Sequence, residues 1–137
     1  MPVYTLTTTA GTLTPQTKAS LAGEIGRIHS EINQVPAAYV NVVYLELPAD
    51  NVFTGGTPAA PVLVSGWVRD GHDEEATSRL ALQIAGAVAE FAALPKERVV
   101  VVFQSSPARF AVEGGRLLPD PGQEAAWMAA AAEQGAG

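Results

Sequence analysis

Apolar positions along the chain change period several times. Val3-Tyr4-Thr5-Leu6-Thr7-Thr8-Thr9 is rich in branched and aromatic residues, follows a proline and ends near Gly11, which predicts a strand. From Thr14-Pro15 the spacing becomes helical, with Leu21, Ile25, Ile28 and Ile32 on one face. Thr14 is placed to cap that helix, Pro15 fits its first position, and Pro36 stops it. Tyr39 to Leu47 reads as a second strand, so residues 3–47 predict a β-α-β unit. A turn-rich stretch follows through Asn51, Gly55-Gly56 and Pro61. The order then repeats over 62–104: a strand from Val62 to Val68, a helix from Asp73 to about Ala93 with Leu80, Ile84, Val88 and Phe91 as its stripe, and a strand from Arg98 to Phe103. Pro2-Val3 matches Pro61-Val62, as a tandem duplication predicts. In the C-terminal segment, 105–137, Ser106-Pro107 opens a short helical turn ended by Gly114-Gly115. Pro119, Pro121 and Gly122 make a rigid connection, Gln123 to Glu133 forms an Ala-rich helix with Trp127, and Gln134 to Gly137 are expected to fray.

The fold class is therefore α/β (α+β): two β-α-β units forming one four-stranded mixed sheet, with two helices on one face and a C-terminal helix. If the units are related by a local twofold, pairs are parallel within each unit and antiparallel at the seam. The start of the first strand then lies beside the end of the third, which brings Pro2 near Arg69. The second apolar face of the sheet is left uncovered, and burial against identical subunits is the expected remedy.

The chain has 137 residues, the size of one domain spanning 1–137, and is 47% apolar against 16% charged, which excludes wholesale disorder. Its formal charge of −6 and its six scattered arginines and two lysines offer no footprint for nucleic acid. No apolar run approaches the roughly 18 residues of a membrane span, and the start lacks a secretory pattern, so a cytoplasmic protein fits best. There is no cysteine, which removes thiol chemistry, and the two histidines, His29 and His72, have no metal-ligand spacing. Phosphate-binding and nucleophile-elbow motifs are absent.

Chemistry must therefore come from less familiar parts. Removal of Met1 would leave Pro2 with a free secondary amine. An α-amino group ordinarily titrates at about 7.7–8.0, and withdrawal from water favours its neutral form, making it a general base near neutral pH. Pro61 provides the contrast, because its nitrogen is an amide. Arg69, at a strand end before Gly71, can hold a carboxylate in a two-pronged grip; its bland alternative is an ion pair with Asp70 or a neighbour. His29 lies on the flank of the first helix's stripe, as a donor to a substrate oxygen or as a solvated surface residue. Glu113 is expected at the C-terminal end of the Pro107 turn, where the helix dipole does not favour a carboxylate.

With these residues in view, the sequence resembles the tautomerase superfamily and, within it, the group around cis-3-chloroacrylic acid dehalogenase. The resemblance runs from Pro2 to about Trp127 and rests on Pro2-Val3-Tyr4, Leu13-Thr14-Pro15, His29, Asn51 to Gly56, Arg69 with Gly71, and Gly115 to Gly122. It implies a homotrimer, no cofactor and no metal, and a free amino-terminal proline as acid or base. By that resemblance Arg69 binds the substrate carboxylate, His29 helps to hold it and Glu113 activates water. Two positions depart from the pattern: a second arginine is replaced by His72, and a tyrosine of the last strand by Val102. Each lost transition-state partner costs about 2.7–4 kcal/mol if it acts like an oxyanion donor. The expectation is therefore a tautomerase of 2-oxo acid enols such as phenylenolpyruvate, with weak dehalogenase or hydratase side activity. The alternatives are a cis-3-haloacrylate dehalogenase or hydratase, and a non-catalytic oligomer that binds a small carboxylate.

Overall fold

The computed structural model describes residues 2–136. The first unit comprises β1 (Val3–Thr9), α1 (Pro15–Asn33) and β2 (Asn41–Leu47); a hairpin of β3 (Phe53–Thr54) and β4 (Thr57–Pro58) links it to the second, formed by β5 (Val62–Arg69), α2 (Glu74–Ala92) and β6 (Val99–Ser106). A second hairpin, β7 (Val112–Glu113) with β8 (Arg116–Leu117), leads to α3 (Glu124–Ala136). The main sheet has the order β2-β1-β5-β6, parallel within each unit and antiparallel between β1 and β5. That is the expected mixed sheet.

Local chemistry sets the element ends. Thr14 accepts from the Thr17 N–H at 3.1 Å at the start of α1, and Asp73 accepts from the Glu75 N–H at 3.4 Å at the start of α2. Both helices close on a left-handed residue, Gln34 and Ala93. Between sheet and helices lies the core of Tyr4, Leu6, Leu21, Ile25, Ile28, Val62, Val64, Leu80, Ile84 and Val88. The opposite face of the sheet leaves Val3, Val43, Leu45, Leu63, Val100 and Val102 exposed.

Several boundaries differ from expectation. Tyr39 belongs to a short 3₁₀ turn, and β2 starts at Asn41. The Pro107 turn ends at Phe110, so Gly114-Gly115 is instead the tip of the β7–β8 hairpin, and the dipole argument at Glu113 lapses because that residue is in a strand. The connection at Asn51 to Pro61 likewise folds into a hairpin. The helix α3 extends past Glu133 to Ala136, while the fraying expected at Gly137 and the fate of Met1 lie outside the described residues.

The duplication is closer than the sequence suggests, with one slip. Helix α2 begins 59 positions after α1 (74 − 15 = 59), and the two hairpins keep the same spacing, Phe53 to Val112. Along β1 and β5, however, Val3 pairs with Asn41 whereas Val62 pairs with Val99 and Leu63 with Val100, so Leu63 is the counterpart of Val3. The burial alternation agrees: Tyr4 and Val64 face the core, Val3 and Leu63 face away. A one-residue slip in a strand exchanges its faces. The structural counterpart of Pro2 is thus Val62, and the Pro2-Val3/Pro61-Val62 match is out of register.

Candidate active site

The antiparallel seam pairs Tyr4 with Gly66, and continuing that register sets Pro2 opposite Val68. A narrow cleft, with only about 10 Å³ of room for water, lies where this seam ends; Pro2, His29, Asn33, Trp67, Arg69 and His72 are among its lining side chains. Pro2 is buried, and its carbonyl accepts from the Asn41 N–H at 3.0 Å, so the sheet fixes the start of the chain. Pro2, His29, Arg69 and His72 are thereby brought together from three separate stretches of sequence.

His29 is 3% exposed, which overturns the solvated-flank alternative. The Tyr4 hydroxyl lies 2.6 Å from its Nδ1, with the two rings edge to face. Burial pushes the Tyr4 hydroxyl well above its usual range, so Tyr4 stays protonated and is able to donate. When that hydroxyl donates, Nδ1 is the acceptor and the single imidazole proton sits on Nε2, the tautomer that offers a donor to a substrate oxygen. The Asn33 Nδ2 is 3.4 Å from Nε2, so in this tautomer two donors face each other and the amide must turn about to present its oxygen as acceptor. Burial, followed by the positive charges of His72 and Arg69, pushes His29 down to about 4, so at neutral pH it is an uncharged donor. Gly66 allows this arrangement: a Cβ there would stand 2.6 Å from the Phe103 ring and 3.0 Å from the Tyr4 ring.

Arg69 is 4% exposed and already engaged. Its Nη1 donates to the Pro119 carbonyl and its Nη2 to Glu124 Oε1, both at 2.6 Å. The bland alternative therefore holds in part, with Glu124 rather than Asp70 as the partner. Burial raises the Glu124 carboxyl, but hydrogen bonds from Arg69 and the backbone outweigh it and leave the group below its usual range. The segment carrying Pro119 and Glu124 is strapped down by Trp127, whose indole donates to the Leu117 carbonyl at 2.8 Å while the Arg116 guanidinium stacks 3.8 Å above its ring. Beneath the strap the Pro121 ring packs 3.5 Å from the place a Cβ would take on Gly71, whose φ of +102° suits glycine.

A family described as "Putative oxalocrotonate tautomerase enzyme" matches residues 1–132. The chain belongs to the tautomerase superfamily. A crystal structure of N1, a member of the cis-3-chloroacrylic acid dehalogenase family, superposes with a TM-score of 0.89 at 30% identity, covering 93% of this chain and 90% of that one. Native Ps01740 superposes at 0.79 with 31% identity, covering 81% and 99%. The fused 4-OT asymmetric trimer, at 21% identity and a TM-score of 0.79 over 84% and 94%, shares the fold. No curated protein sequence matches the chain.

Within this member of the superfamily, three other expected residues are placed less uniformly. His72 lines the cleft, and burial followed by the Arg69 charge lowers its affinity for a proton, which makes it a poor stand-in for arginine. Glu113 sits partly buried in β7, opposite Arg116, and is not among the side chains lining the cleft. Val102 lies on the uncovered sheet face, 53% exposed. Sequence reasoning missed Tyr4, Asn33, Trp67 and Glu124. Tyr4 had a usable signal, because alternation with Leu6 turns a hydroxyl inward, where it needs a partner. Glu124 had none beyond being an acid at a helix start.

Proposed function

We propose that the chain, once Met1 is removed, is a cofactor-independent tautomerase that interconverts the enol and keto forms of 2-oxo acids. The observation that carries this reading is the burial of Pro2 in one cleft with His29 and Arg69. In ketonisation the Pro2 nitrogen takes the enol hydroxyl proton. The oxygen's electron pair becomes the C=O bond, and the former C=C pair takes a proton at C3 from the protonated ring nitrogen. Arg69 holds the substrate carboxylate, and the Nε2 proton of His29 steadies the oxygen at which charge develops. Neighbouring cations and burial both favour the neutral amine this step needs.

Hydration or dehalogenation of 3-substituted acrylates is a weak side activity on this reading. His72 is a poor cation, and Val102 has no hydroxyl. The uncovered apolar face, with Val43, Leu45, Leu63, Val100 and Val102, supports self-association, for which a homotrimer is the natural candidate among folds of this kind.

The experiment is enol turnover of phenylenolpyruvate by protein whose mass shows that Met1 is gone. Pro2→Ala, checked for intact fold, should lose at least a hundredfold in kcat/KM. Unchanged turnover would eliminate the proline mechanism, and no turnover by the processed parent protein would leave a carboxylate-binding oligomer. Halide release from 3-haloacrylates as fast as enol turnover would favour the dehalogenase instead.

A further inference from the structure

We propose that Glu124 is the resident counter-ion of an exchangeable anion site: the carboxylate of an incoming 2-oxo acid displaces it from Arg69, so the internal pair sets how tightly the substrate is held. This rests on the tautomerase reading above and adds to it a residue that determines affinity.

Glu124 presents itself to Arg69 as a bound ligand would. One carboxylate oxygen takes the Nη2 donor at 2.6 Å, and the other accepts from the Gly122 N–H at 2.9 Å. The Pro119 carbonyl occupies Nη1, and the guanidinium is almost wholly shielded from water. A second carboxylate added beside the first would crowd two anions against one cation in a dry site, where both cannot stay ionised. Exchange avoids this conflict, because the guanidinium keeps one charge-assisted partner throughout.

The fold lets the side chain leave without undocking the strap. Glu124 is the first residue of α3, and the helix is anchored further along, where Arg116 donates to the Trp127 carbonyl at 2.7 Å and Trp127 packs against Val35, Ala108 and Leu118. The released carboxylate therefore remains tethered close by, at high effective concentration, and competes with the substrate. The guanidinium pairs along α1 differ in kind: Arg27, with Glu24 and Glu31, is exposed and lines an open surface groove between the helices.

The test measures binding, not turnover. Titrate 3-phenylpropanoate, an unreactive carboxylate, and its neutral amide into the full-length protein and into Glu124→Gln, which keeps the shape of the side chain and one of its two acceptor oxygens while removing its charge. The expected result is about tenfold tighter binding of the carboxylate by the variant, with the amide unchanged. Equal or weaker carboxylate binding by a folded Glu124→Gln overturns the proposal and makes the pair a structural clamp. Should that variant not fold, Glu124→Asp, which withdraws the carboxylate by one methylene, must tighten binding or the proposal fails. Arg69→Gln separates the two levels. If it loses carboxylate binding while Glu124→Gln equals the parent protein, only the exchange is wrong; if it binds as well as the parent, Arg69 is no anion site and the functional reading falls too.

Discussion

The two β-α-β units share a scaffold and differ at the few positions that matter for chemistry. Where the first unit turns Pro2, Tyr4 and His29 inward, the second has Val62, Val64 and Val88, all buried. At the other end of the paired strands the roles reverse, because Arg69 in the second unit stands where the first has Thr9. A local twofold thus generates two equivalent seam ends, of which one gathers an amine, an imidazole and a guanidinium, and the other is closed with valine. A duplicated fold supplies symmetric backbone positions, and function arises where the side chains break the symmetry.

The sharpest way to break this comparison is to write the second unit's residue into the first. His29→Val should reduce enol turnover by about a hundredfold, the size of a lost transition-state donor. It also leaves the Tyr4 hydroxyl buried without its acceptor, at about 1–3 kcal/mol near neutral pH. The same variant has a signature in acid. The native His29 resists protonation down to about 4 while the unfolded chain takes its proton near 6.5, so stability falls as pH drops through that window, by about 3 kcal/mol in total. Urea unfolding across pH 4 to 7 should show this part of the slope in the parent protein and not in His29→Val.

A milder change is Tyr4→Phe, which keeps the ring and removes the donor to Nδ1. The imidazole is then free to carry its proton on either nitrogen, and turnover should fall about tenfold. In a double-mutant cycle on stability, the losses from Tyr4→Phe and His29→Val should be less than additive, because each severs the same bond. Full additivity would argue that the 2.6 Å contact carries no coupling.

The smallest effect separates the helix ends. Gln34 and Ala93 both adopt left-handed backbone, but the Gln34 amide donates to the Glu31 carbonyl at 2.8 Å, whereas Ala93 has no such side-chain bond to offer. Ala93→Gly should therefore stabilise the protein by about 0.5–1 kcal/mol in thermal unfolding without touching turnover, and Gln34→Gly should gain less.

Much of this architecture was legible because it depends on local periodicity. Thr14 and Asp73 marked the helix starts, Pro36 bounded the first helix, and the repetition of strand, helix and strand predicted the mixed sheet and the meeting of Pro2 with Arg69. Register was less legible. Two Pro-Val pairs matched letter for letter, yet the loop from β5 to α2 is one residue shorter than its counterpart, and that difference moved the faces of β5. The hairpins were read as turns because two-residue strands carry no alternation to detect. The partner of Arg69 was hidden most deeply, since a contact spanning 55 residues depends on how the C-terminal strap packs over the sheet. Local pattern carries no such information.

The most direct test of the central claim is a nitrogen titration. In protein labelled with ¹⁵N-proline, the Pro2 resonance should titrate as a secondary amine with a pKa below the ordinary value of about 7.7–8.0 for an α-amino group, and the acid limb of kcat/KM for enol ketonisation should follow the same curve. A Pro2 nitrogen that does not titrate, or one that titrates at or above the ordinary value with no matching limb in the rate profile, would contradict the account.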